Sequence, residues 1–421
     1  MPRHMTGATA SARRVNWWYY CDGRVEPNEV GTHEFMDFCR MTGAAPYVAA
    51  NMTSTTPLHI RDWVEYCNFP AGTTTLADER ARNGSPEPFD VRLWGIGNEN
   101  WGGGGQMTPE MCAREFIRYT TVMRSLGTKQ LRFIMCGANG HDVEWTRRLM
   151  REWSARRWHE VETYGVSIHY YTNQGSKADP LNFTEDEWYD QLLRAAFMQQ
   201  VIDDHRAAMD EFDPDRRIKL IVDEWGCWHR DGTGPSKGYN LFEQQSTMRD
   251  ALVAGLNLNI FNKHCDRVKM ANIAQAVNVL QAVVLTDGAQ MVLTPTFYAF
   301  ELYKPHQGAR LLKSELIAGE KDGLPVAHES SSVQADGSIT TTICNPSAGD
   351  ALPMRTVIAG KHVSLRSADL LAGDIHAHND FEEGNAVAIA PFEGIKVAYE
   401  GEDTVLTYTL PACALARITV Q

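Results

Sequence analysis

Two glutamates in this sequence stand where a carboxyl group can do chemistry. Glu99 closes the apolar run "RLWGIGNE" (92–99), which then dissolves into Trp101 and the four glycines Gly102 to Gly105. Glu224 lies near the end of a second apolar run, "IKLIVDEWG" (218–226). A third run, "YGVSIHYY" (164–171), finishes on His169, Tyr170 and Tyr171. Side chains at the C-terminal ends of buried parallel strands point into the mouth of an α/β barrel, where such barrels keep their chemistry. Two carboxyl groups from different strands suit hydrolysis of a glycosidic bond. One protonates the leaving oxygen, and the other attacks or activates water.

Each of these residues also has a plain reading. An acid at a strand end can be a solvated exit, and Glu224, following Asp223, can be half of a structural ion pair. His169 can be a hydrogen-bonded core histidine, since no second His or Cys stands at metal-ligand spacing from it. Trp94, Trp101, Trp225 and Trp228 flank both glutamates; they can be stacking faces for sugar rings or simply core. Other chemistries lack their signatures. Gly95 and Gly97 do not open GxGxxG, no GxSxG elbow occurs, and no CxxC pair exists. No metal or cofactor is expected.

The elements that would hold these residues read as follows. Short apolar runs at 44–51, 91–99, 131–137, 164–171, 218–226 and 256–264 are too continuously apolar for a half-exposed sheet and predict strands covered on both faces. Helices lie between them. Thr108-Pro109-Glu110 predicts a cap, a first-turn proline and a first-turn acid. Cys112, Phe116, Tyr119 and Met123 follow at helical spacing, with Gly127 as the stop. This alternation predicts an α/β fold with a parallel sheet. Beyond about residue 310 come Thr/Val/Ile-rich runs separated by Gly, Pro and Asp turns, the pattern of an all-β sandwich. The division is accordingly a barrel over 1–305 and a β-sandwich over 306–421.

The chain has 421 residues, with 53 acidic against 40 basic side chains and a net charge of −13. With no Lys/Arg block either, nucleic acid and anionic membranes are poor partners, and a neutral substrate suits the surface better. The nine cysteines are odd in number and scattered, as expected of reduced core thiols in a reducing compartment. No apolar leader run and no membrane-spanning stretch is present, so the expected location is cytoplasmic.

The segments "EPNEVGTHEFMDFCRMTGAAPYVAAN", "WVEYCNFP", "WGIGNENWG", "SIHYY", "DEWGCW", "NKHCDRVKMANIAQAVNV" and "LPACALARITV" resemble, in order, the α-L-arabinofuranosidases of glycoside hydrolase family 51. The resemblance runs from about residue 25 to the C-terminus. It implies a (β/α)8-type barrel, with Glu99 as general acid/base and Glu224 as nucleophile. It further implies that Asn98 bonds the sugar 2-hydroxyl, Tyr171 contacts the nucleophile, Gln275 contacts the furanose and Trp228 stands at the rim. His169 joins them at the mouth as a substrate-side residue. The implied reaction releases terminal α-L-arabinofuranosyl residues from oligosaccharides or polysaccharide fragments with retention, through a covalent glycosyl-enzyme, in a homo-oligomer.

The front of the chain departs from the family. Only six candidate barrel strands are present, where closure takes eight. Family members carry further residues ahead of this start, which supply the first sandwich strand and the first two barrel strands. They also bring a substrate-binding Glu loop and an Arg-Pro-Gly-Gly-Asn stretch, both missing here. The expected reason is a start downstream of the natural one, with a fragment or a degenerate relative as alternatives. Two other functions compete: an endo-glucanase or xyloglucan-active enzyme on the same scaffold, and an inactive carbohydrate-binding scaffold.

Overall fold

The structure is a computed structural model that describes residues 16–17, 25–123, 130–155, 163–172, 178–230, 232–236, 242–382 and 384–421. Two compact units emerge: the chain up to His169 together with Asp204–Ile221, and Tyr170–Asp203 together with Val222–Gln421.

A short antiparallel pair, β1 (Asn16–Trp17) and β2 (Val25–Glu26), comes first. Six parallel strands then follow in chain order as one sheet: β3 (Tyr47–Ala50), β4 (Leu93–Ile96), β5 (Arg132–Asn139), β6 (Thr163–Tyr171), β7 (Lys219–Gly226) and β8 (Val268–Ile273). The register runs Ala50 beside Ile96 and Ile96 beside Met135, so β3 and β4 finish level, while β5 continues to Asn139 beside His169 of β6. This is a barrel sheet of six strands with helices between them. Five of the six lie where the apolar runs placed them.

The sixth does not. Residues 256–264 were expected to form a strand, but they belong to α8 (Met248–Lys263), and the strand is the following "VKMANI". A capping box between Thr247 and Asp250 starts this helix, and it is buried on almost every side, Asn257 and Asn259 included. A helix covered all round loses its 3.6-residue signature, and its apolar run then reads as a covered strand.

Local signals elsewhere acted as they read. In α4 (Pro109–Thr121) the Thr108 side chain accepts the Met111 N–H, while Cys112, Phe116, Tyr119 and Met123 are all buried. Gly127 lies outside the described residues. The eight cysteines among the described residues are all free, and seven of them are buried.

After α9 (Pro295–Tyr303) the chain turns to antiparallel sheets. One has six strands, ordered 310–311, 328–333, 339–345, 414–420, 365–372 and 390–391; another has three, ordered 352–358, 403–410 and 396–400. Leu406, Tyr408 and Leu410 of the smaller sheet share a core with Ile343, Ala416 and Ile418 of the larger. Two sheets joined by their apolar faces make a sandwich.

Candidate active site

Glu99 stands three residues beyond the end of β4, and its backbone is unusual. The strand continues as far as Gly97, whose N–H reaches Ala50 O at 3.0 Å. Glu99 itself has a φ of 47°, a left-handed conformation that costs a residue with a Cβ about 1–2 kcal/mol. The glycine run supplies the compensation. Its N–H groups at Gly102 and Gly104 both donate to the Glu99 carbonyl, at 2.8 and 3.0 Å. Gly104 packs so closely that a Cβ there would overlap the Asn98 carbonyl oxygen, whereas one on Gly103 would meet nothing within 4 Å. The glycines let the loop fold back onto the Asn98–Glu99 peptide and pin it.

The Glu99 carboxyl is 31% exposed and meets His169 Nδ1 at 3.0 Å, while the His169 side chain is only 4% exposed. One side of the carboxyl is therefore seated against His169, and part of it remains exposed. His169 is held in turn, its carbonyl accepting the Gly140 N–H at 2.6 Å. Asn98, beside the acid, is exposed.

In the second unit Tyr171 donates its hydroxyl to Glu224 Oε2 at 2.6 Å. Such a bond fixes one oxygen of a carboxylate. The Tyr171 ring packs edge-on against Trp228 at 5.2 Å, and Trp228 against Phe242 at 5.8 Å. Glu224 is half-buried, as is Trp228, whereas Gln275 is exposed on the segment after β8. Trp94 and Trp225 are core. Both are fully buried, Trp94 against Trp63 at 5.6 Å and Trp225 against Phe261 at 5.1 Å.

The segment after Glu224 is tied down by buried polar residues that sequence reasoning missed. Gln281 accepts the Cys227 N–H and donates to the Asp250 carbonyl, both at 2.8 Å. Gln244 accepts the His229 N–H at 2.8 Å, and His229 Nε2 meets Asp250 Oδ1 at 2.8 Å. Burial pushes the Asp250 carboxyl up, but His229, Arg249 and the Thr247 N–H together outweigh it and hold it below its ordinary value. Donor atoms of Cys227, His229 and Asp250 lie within 4.8 Å of one another. Asp250 already spends one oxygen on His229 and the other on the Thr247 N–H and hydroxyl, which leaves it poorly suited to a metal. The signal available in the sequence for this group was only Thr247-x-x-Asp250, the capping pattern.

Residues 6–190 match the model of the α-L-arabinofuranosidase 1 domain, and residues 223–414 that of the α-L-arabinofuranosidase C-terminal domain. An intracellular exo-α-L-arabinofuranosidase of Bacteroides ovatus is 36% identical over 415 residues, covering 96% of this chain and 77% of that protein. The chain belongs to the α-L-arabinofuranosidases of glycoside hydrolase family 51. The crystal structure of the family 51 arabinofuranosidase from Xanthomonas axonopodis pv. citri superposes on all of this chain and 84% of its own, with a TM-score of 0.89 and 36% identity. An intracellular exo-α-(1→5)-L-arabinofuranosidase of Streptomyces lividans is 27% identical over 88% of the chain, and the chain spans 57% of its length. The half-barrel and sandwich of this arabinofuranosidase chain are thus the family's architecture. Among the described residues no helix is long and apolar enough to cross a membrane.

Proposed function

We propose that the chain is a retaining, exo-acting α-L-arabinofuranosidase in which Glu99 is the general acid/base and Glu224 the nucleophile. The observation that carries this reading is how the two strand-end acids are held. Glu99 is bonded by His169 and Glu224 by Tyr171, in a chain of this family. A protonated Glu99 gives its proton to the departing glycosidic oxygen while Glu224 attacks the anomeric carbon. The ester that forms on Glu224 is then opened by water, which Glu99, now ionised, deprotonates.

Asn98, exposed beside the acid, is assigned to the sugar 2-hydroxyl, where a bond that tightens in the transition state speeds the reaction. Gln275 is assigned to the furanose and Trp228 to the rim of the site. Exo action, arabinose-containing glycan fragments as substrate and an intracellular location are part of the same reading, supported by family membership and by the relatives' names; a homo-oligomeric assembly is proposed with them. Hydrolysis of an aryl α-L-arabinofuranoside tests it. The first-formed sugar should keep its anomeric configuration by proton NMR, and a 2-fluoro arabinofuranosyl inactivator should add its mass to the peptide bearing Glu224. Inversion, or a label elsewhere, would overturn the assignment.

A further inference from the structure

We propose that Asn100 is a positioning residue for proton transfer, setting through the loop 97–107 where the Glu99 carboxyl stands. The kinetic side of this inference rests on the arabinofuranosidase reading; the structural side does not.

Asn100 is fully buried, so it cannot reach a sugar. Its hydrogen-bonding groups are spent on the loop and on β5. The backbone N–H donates to Cys136 Sγ at 3.4 Å, and the carbonyl accepts the Met107 N–H at 2.7 Å. The side-chain Nδ2 donates to the Gly104 carbonyl at 2.6 Å, and Cys112 Sγ stands 4.0 Å from Oδ1. A Cβ on Gly97 would overlap that same Oδ1, so the carboxamide fills the space that a glycine before the acid leaves open. Asn100 therefore ties together three points: the strand exit at Gly97, the glycine turn at Gly104 and the neighbouring strand at Cys136.

Glu99 is the residue caught between these ties. It holds a left-handed φ, and its carbonyl takes the Gly102 and Gly104 N–H groups. Freeing Gly104 from Asn100 frees one of those donors. The backbone of Glu99 can then relax towards right-handed or extended φ, which swings the carboxyl off His169. Buried polar groups in a complete network of this kind fix one conformation, and a displacement of about 1 Å at a reacting group is enough to cost rate.

The test uses the full chain and two kinds of readout. In Asn100→Ala, amide hydrogen exchange at Gly102, Gly104 and Met107 should speed up at least about tenfold, with β4 and β5 unchanged. Turnover of an aryl arabinofuranoside with a poor leaving group should fall roughly 30-fold or more, while one with a good leaving group changes less than about threefold, the pattern of impaired acid catalysis. Cys136→Ala, which removes the sulfur accepting the Asn100 N–H, should move both readouts the same way by a smaller factor, and Cys136→Ser should restore them. Equal loss on both substrates, or unchanged exchange at the three amides, overturns the proposal. Absence of wild-type turnover on the activated substrate would sink the arabinofuranosidase reading instead, and the exchange measurement would still decide on Asn100.

Discussion

His205 offers a quantitative test that links acid stability to the seat of Glu99. It lies in α7 (Met198–Asp210) with no exposed surface. Its Nε2 meets the Gly140 carbonyl at 3.0 Å and its Nδ1 the Thr146 hydroxyl at 2.8 Å. The neutral ring satisfies both, donating at Nε2 and accepting at Nδ1. Burial, with a smaller push from His141, lowers its pKa from 6.5 to about 4, although the Gly140 carbonyl, Asp142 and Asp204 pull the other way. The unfolded chain therefore takes up a proton at this position near pH 6.5, and the folded chain only near pH 4. Stability falls with pH across that window, and at about 1.4 kcal/mol per pH unit the full loss is about 3 kcal/mol.

His205→Gln keeps a donor for Gly140 but cannot titrate. It should be less stable than wild type at pH 7 by about 1 kcal/mol, the worth of the lost Thr146 bond. By pH 4 it should be more stable by about 2 kcal/mol. His306 and His328, also lowered to about 4 by burial, lose stability equally in both proteins and cancel in the difference. Urea unfolding at pH 7, 5.5 and 4, followed by tryptophan fluorescence, reads the crossing. A wild-type minus variant difference that stays constant with pH would refute the reasoning. Gly140 also donates its N–H to His169 O, so acid should loosen the His169 seat in wild type before it does in the variant.

Other outcomes follow from the acid loop and the two carboxyls. Glu224→Ala should abolish formation of the glycosyl-enzyme on every substrate, read as loss of the burst of aryl alcohol. Glu99→Ala should cost about 10²–10⁴-fold on substrates with poor leaving groups and far less on activated ones, with added azide restoring turnover by replacing the activated water; equal damage to both classes would count against Glu99 as the acid. Gly104→Ala should lower turnover of poor substrates about 100-fold, because the loop must shift by about 1 Å to clear the Asn98 carbonyl, whereas Gly103→Ala should be silent; a silent Gly104→Ala would remove the clamp. A crystal structure with arabinose bound should place the two carboxyl groups about 5–5.5 Å apart, and a separation beyond about 7 Å would leave retention without a basis.

The positions of both glutamates were legible because their signals are local. Each sits at the end of a continuous apolar run, and such a run, closed by glycines or by a polar pair, can be read within ten residues as a covered strand and its exit. The caps at Thr108 and Thr247 are equally local, one residue from the helix they start. α8 was illegible for the opposite reason: its neighbours cover it on almost every side, so too little polar face remains to mark the helical period. The tryptophans show the same limit. Nothing near Trp94 or Trp225 in sequence says that Trp63 and Phe261 will close over them, whereas Trp228 keeps part of its surface and stays beside Tyr171.

The glycine run shows where a local reading stops. Four glycines after an acid can be a slack loop or a clamp, and composition is the same for both. What separates them is the partner of each N–H. Two of these N–H groups converge on the Glu99 carbonyl, and Gly104 stands where no side chain fits. The partner that closes the clamp, Cys136, comes from the next strand, thirty-six residues from Asn100. An acid held at a left-handed φ by such distant ties is backbone strain compensated by the surrounding fold, as at other sites where geometry has to be set before substrate arrives. The sequence places Glu99 just past the end of a covered strand; the direction of its carboxyl is set by the φ, the two glycine N–H groups and His169.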